Sequence, residues 1–162
     1  MEKNSIPPKL SQLDFKISRW MYIYGKPVLR YFLALIFIWF GYLKIVGASP
    51  ANDIITATVF WFDPDSFIPI LGVWEVLIGL LLCFRKLVRL AILLLVFQIP
   101  GTFLPLFILP EVAFKEFPLQ LSMEGQYIIK NLLIIGAAIV VGGNIREREF
   151  VNKKIKSSDA ES

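Results

Sequence analysis

The sequence predicts an all-α, polytopic membrane protein: a bundle of four transmembrane helices with an N-terminal interfacial amphipathic helix before it. Three observations predict this. Hydrophobic residues make up 56% of the 162 and charged residues only 19%, more apolar surface than a soluble domain of this length can hide. Four apolar runs each approach the ~20 residues needed to cross a bilayer. The net charge is +4, but the basic residues gather at the ends of those runs, a pattern that belongs to membrane topology and argues against a nucleic-acid partner.

Near the N-terminus, Leu10, Leu13, Ile17, Trp20, Met21 and Tyr24 share one helical face, with Ser11, Gln12, Lys16 and Arg19 opposite. Ser11 with Asp14 resembles a capping box and Gly25-Lys26-Pro27 is a stop signal. A separate helix lying on the membrane surface is therefore expected over Leu10–Tyr24. The first ~27 residues are polar and interrupted, so no cleavable signal is expected and the first apolar run serves as an anchor. The spanning runs are Leu29–Val46, Phe67–Phe84, Leu90–Leu109 and Tyr127–Gly143. Between the first two, Ser49-Pro50 opens a short surface helix expected over Ala51–Trp61. Phe60, Trp61, Phe62 and Phe67 then form an aromatic cluster at the interface, as a membrane anchor or a ligand contact. Pro100, Gly101 and Pro105 predict a kink in the third run; Gln98, Thr102, water or a ligand would serve the carbonyls it frees. Gly72 and Gly79, one heptad apart, and Gly136 allow helices to approach closely. The chain thus divides into a cytoplasmic segment with the interfacial helix (1–27), a four-helix membrane domain (28–143) and a basic tail (144–162), whose end, KSSDAES, is expected to be disordered.

Charge distribution gives an orientation. Lys3, Lys9, Lys16, Arg19, Lys26 and Arg30 precede or open the first run. Arg85, Lys86 and Arg89 join the second to the third, and Arg146, Arg148, Lys153, Lys154 and Lys156 come after the fourth. The other two loops hold Asp53, Asp63, Asp65, Glu111, Glu116 and Glu124 against Lys115 alone. Both termini are expected in the cytoplasm and both acidic loops outside, in a bacterial inner membrane.

Cys83 is the single cysteine and histidine is absent. No intramolecular disulfide, CxxC pair, His-ligated haem or histidine base is available, and no metal site is expected. Whether the chain is an enzyme is left open, but it is not expected to perform redox catalysis on its own.

Charges inside spanning helices cost ~2.5–3.5 kcal/mol at the centre, so each demands a partner or a function. Lys44, Glu75 and Lys130 are the candidates. Helix rise puts them ~3, ~12 and ~5 Å below the outer ends of their runs, all in the outer half. A Lys44–Glu75–Lys130 cluster facing the bundle centre is expected, with Asn131 about 100° around the helix from Lys130. Two lysines against one glutamate would make a net positive, water-accessible pocket suited to an anion, a carboxylate or a quinone carbonyl, with Glu111 and Glu124 placed to close its mouth. The alternative is structural: a buried ion pair fixing helix register, or Lys44 snorkelling to the surface.

Gly41-Tyr42-Leu43-Lys44, Gly72-Val73-Trp74-Glu75 with Ile78-Gly79, the run GTFLPLFILPE from Gly101 to Glu111 and GQYIIKN from Gly125 to Asn131 carry a resemblance. In their order and spacing the chain resembles the DoxX-like four-helix membrane proteins over most of residues 29–143. That resemblance implies a membrane subunit associated with quinone-linked sulfur oxidoreductases or oxidative-stress systems. Lys44, Glu75, Lys130 and Asn131 match its polar positions, and Trp74 and Gln98 join the candidate ligand-binding set. Expected partners are the lipid bilayer, a membrane or periplasmic protein and a second copy of the chain; a quinone is the cofactor implied. A carrier or channel for a small solute or ion, and a non-catalytic scaffold subunit, are the other readings of the same features.

Overall fold

The computed structural model describes residues 8–143. The basic tail 144–162, with its KSSDAES end, lies outside the described residues, as do residues 1–7 with Lys3. The elements in chain order are α1 (Pro8–Ile45), α2 (Asn52–Thr58), α3 (Pro64–Cys83), α4 (Val88–Phe103), α5 (Pro105–Ile108), α6 (Pro110–Ala113), β1 (Phe114–Glu116), β2 (Gln120–Leu121), α7 (Met123–Ile129) and α8 (Asn131–Gly143). Among the described residues, four stretches are long and apolar enough to cross a membrane: Leu10–Ile45, Pro64–Cys83, Val88–Ile108 and Met123–Gly143. They run alternately up and down. Their mutual core is Leu33, Ala34 and Phe37 of α1, Ile78 and Leu82 of α3, Val88, Ala91 and Leu95 of α4, and Ala138 and Val141 of α8. Most other apolar side chains of these helices face outward, as a hydrocarbon solvent permits.

The closest seam joins α1 to α3, and glycine makes it possible. A Cβ on Gly72 would sit 2.6 Å from the Gly41 carbonyl oxygen, and one on Gly41 would sit 2.5 Å from that of Gly72. Seven residues on, a Cβ on Gly79 would meet the Ala34 carbonyl at 2.7 Å and the Ile38 nitrogen at 2.9 Å. The heptad spacing noted in the sequence thus marks a backbone-to-backbone contact, where dispersion replaces the hydrophobic effect that lipid cannot supply. Gly136, by contrast, faces open space.

The first helix differs from expectation. No separate interfacial helix precedes the first span: α1 is continuous over 38 residues with Pro27 inside it. It is already helical at Pro8, so Ser11 and Asp14 lie within its first turns instead of at a start. A proline removes one N–H from the helix ladder, and α1 accommodates that loss by remaining helical on both sides of Pro27. Leu10, Leu13, Ile17, Trp20, Met21 and Tyr24 are all exposed, as is every other residue from Leu10 to Gly25, so this stretch of α1 buries neither face. Trp20 and Tyr24 touch ring to ring at 5.6 Å.

The connections are built by short polar contacts. α2 is shorter than expected because the Thr58 hydroxyl donates back to the Ile54 carbonyl at 2.6 Å and Val59 leaves the helical region at φ −102°, ψ 50°. The aromatic cluster comes next: Phe60 edge-on to Trp61 at 4.8 Å, and Phe62 stacked on Phe67 at 5.3 Å. Asp63 then caps α3, accepting from the Ser66 N–H at 3.1 Å and its hydroxyl at 2.7 Å. In the third span Pro105 has no N–H to give, and the Leu104 N–H turns to the Gly101 carbonyl at 3.3 Å. The expected kink is this break between α4 and α5. The Gly101 carbonyl freed by Pro105 is thus served by backbone, while Thr102 donates to the Ile99 carbonyl at 2.7 Å, which neither proline frees. The α6–β1–β2 excursion is absent from the sequence expectations. Ser122 ties it down, donating to the Val112 carbonyl at 2.6 Å while accepting the Gly125 N–H of α7 at 3.0 Å.

Gly72→Ala and Gly79→Ala are each expected to lower stability by about 1–3 kcal/mol, since rigid backbone must move aside. Gly136→Ala should be neutral or stabilising by up to ~1 kcal/mol through helix propensity. Reversible unfolding of detergent-solubilised protein by SDS titration measures all three.

Candidate functional site

Charge placed where charge is costly marks the site. Lys44 ends the last turn of α1, and Glu75 lies 11 residues into α3, about 16 Å from its start. The seam at Gly41 and Gly72 brings these two backbones together one turn away. The Lys44 ammonium reaches the Glu75 Oε2 at 2.6 Å. Gln98 of α4 donates from Nε2 to the other carboxylate oxygen, Oε1, at 2.7 Å. Lys44 and Glu75 are only 6% and 8% exposed. Each carboxylate oxygen thus has a donor, which a charge in an apolar bundle requires.

The amide of Gln98 leaves one acceptor over. A carboxylate accepts only, so the group facing it must be the NH2 and the orientation of the amide is fixed by chemistry. The Gln98 Oε1 then points away from the ion pair, is buried, and has no hydrogen-bond partner among the described residues. Tyr127 of α7 completes the surroundings. Its phenol lies within electrostatic reach of the Glu75 carboxylate, and its ring packs 6.3 Å from Phe40 of α1. All four spans therefore send a polar side chain toward the same level.

The sequence-predicted residues divide. Lys44, Glu75 and Gln98 come together. Lys130 does not: it is exposed, sits in the turn between α7 and α8, and makes no ion pair among the described residues. The expected surplus of positive charge is accordingly absent, and the centre is a neutral pair. Both oxygens of Glu75 are taken by Lys44 and Gln98, and Lys130 stands exposed in the turn between α7 and α8. Asn131 is half-buried and Glu111 and Glu124 are exposed, none of them bonded to the pair. Trp74 packs against the apolar core. α3 begins at Pro64, three residues before the expected Phe67, so Glu75 stands farther from the start of its helix than expected. Sequence reasoning misses Tyr127: a tyrosine opening a span reads as an interface anchor, although it stands one turn from Lys130.

Fold and buried pair together define a class, the polytopic membrane protein with four apolar spans. No protein-family model, curated protein or solved structure matches this chain.

Removing one partner of the pair strands the other in an apolar interior. Lys44→Leu and Glu75→Leu are each expected to destabilise by about 3 kcal/mol, and the double substitution to recover most of that loss. A double-mutant cycle of SDS unfolding tests it: additive losses would show the two side chains to be uncoupled.

Proposed function

We propose that this chain is a DoxX-like subunit of a quinone-linked oxidoreductase system in a bacterial inner membrane, with both termini cytoplasmic, and that the Lys44–Glu75–Gln98 centre is where a small ligand docks. One observation carries the reading: the buried, unpartnered Oε1 of Gln98 beside the carboxylate. An acceptor left bare in an apolar interior costs about 1–3 kcal/mol, and a ligand hydroxyl supplies the missing donor. Lys44 keeps N–H groups beyond the one given to Glu75, which suits a carbonyl or second oxygen on the same ligand. A two-oxygen ring compound such as a quinol fits that pair of needs. The quinol or quinone supplies the electron chemistry; the chain's own side chains bind and orient it. Without histidine or a cysteine pair, the redox partner is another protein. The loop charges support the orientation.

The expected outcome is saturable binding of a short-chain ubiquinol or menaquinol to the protein in nanodiscs, tighter than that of the matching dimethoxy ether, which cannot donate. Gln98→Leu should weaken the quinol at least tenfold, about 1.4 kcal/mol, and leave the ether unchanged. Absence of saturable binding, or equal affinity of Gln98→Leu, overturns the proposal.

A second reading has its own observation. The Gly41–Gly72 contact lies one turn from the ion pair, as expected of a device that locks α1 against α3 in register. If register is its only role, the Lys44→Leu/Glu75→Leu double variant folds, assembles and complements a deletion strain fully; loss of complementation by a stable double variant removes this reading.

A further inference from the structure

At the opposite end of the bundle, the structure holds an open groove of about 560 Å³ lined by Arg30, Tyr31, Cys83, Phe84, Arg85, Lys86 and Leu87. It lies 14 residues, about 21 Å, along α1 from Lys44. The groove therefore shares no lining residue with the buried Lys44–Glu75–Gln98 centre.

Its lining is of two kinds. Arg30 from α1 and Arg85 and Lys86 from the α3–α4 turn bring three positive charges together, and no acidic residue lines the groove among the described residues. Tyr31, Phe84 and Leu87 supply an apolar flank, each exposed on the outside of the bundle. Arg30 is held in place: its guanidinium carbon stacks 4.8 Å from the centroid of the Tyr31 ring. Its Nε is buried and has no hydrogen-bond partner among the described residues. The guanidinium of Arg30 lines the groove together with Arg85 and Lys86, and an anionic oxygen is the acceptor that three cations favour. The apolar flank argues that this oxygen arrives attached to something greasy. Basic recesses between spanning helices at a membrane boundary meet both needs when a phospholipid phosphate sits among the cations and its glycerol and acyl chains lie along the apolar side.

We propose that this groove is a binding site for the phosphate ester of an anionic phospholipid, with Arg30 as the buried donor and Arg85 and Lys86 as the outer clamp. A free phosphate shares the same chemistry, and the test separates the two. Full-length protein is exchanged into detergent containing phosphatidylglycerol, cardiolipin or phosphatidylcholine, and retained adducts are counted by native mass spectrometry. The expected result is one retained anionic lipid in clear preference to phosphatidylcholine. The Arg85→Gln/Lys86→Gln variant, altered only at exposed turn positions, should reduce retention by about fivefold or more for each cation removed. Arg30→Gln should reduce it at least as far. Lys115→Gln, a charge of the same sign on β1, should leave it unchanged. Competition with inorganic phosphate identifies the source: a lipid retained against excess phosphate supports the proposal, whereas displacement by phosphate overturns the lipid assignment. Equal retention of phosphatidylcholine, indifference to the double substitution, or an equal loss from Lys115→Gln each overturns it as well.

Discussion

The buried ion pair at the centre of this bundle depends on how closely α1 approaches α3. The seam of Gly41, Gly72 and Gly79 puts backbone against backbone, and a lysine at the last turn of one helix then needs only its own length to meet a carboxylate in the middle of the next. A side chain of ordinary size at Gly72 would push the two helices apart. The Lys44–Glu75 bond would lengthen, and two charges would face hydrocarbon singly. Close packing and charge burial are thus one constraint, since the glycines set the distance over which the ion pair is made.

The third and fourth spans close this centre without adding charge. Gln98 saturates the second oxygen of Glu75, and Tyr127 brings a neutral phenol. A carboxylate so provided is held by geometry as much as by Coulomb attraction. The amide has to present its NH2 to the carboxylate, which turns its oxygen toward space that no hydrogen-bond donor among the described residues fills. A polar atom left over by a forced orientation is a different kind of signal from one left over by loose packing. It has a direction, and the neighbouring carboxylate sets that direction.

Much of the fold is legible in the sequence because the relevant signals are local. The length and apolarity of the runs around Leu33, Ile78, Leu95 and Ala138 locate the spans. A charge inside such a run demands a partner, which singles out Lys44 and Glu75. The rest fails where the answer lies in three dimensions. Depth along a helix can be counted, but the direction a residue faces cannot once the helix is interrupted, and Lys130 sits at such an interruption. Gln98 reads in sequence as a partner for freed carbonyls, yet its actual partner is on another helix. Gly25 and Pro27 read as a stop because that rule describes helices that end in water. The hairpin of Phe114–Glu116 and Gln120–Leu121 is too short to show a period in sequence.

The unbroken course of α1 has a mechanical consequence. From Ala34, the last seam contact, to Pro8 it extends 26 residues, about 39 Å, and the apolar side chains of its first turns stand exposed. A rod pinned at a tight seam over one end is a lever. A tilt of about 5° at the seam moves the far end by about 3 Å, and a push on the far end is delivered to the seam beside Lys44. Pro27, about a quarter of the way out from the seam to Pro8, is the place where such a rod bends most readily. Whatever takes hold of the outlying end of α1 has a stiff handle on the ion pair at the other.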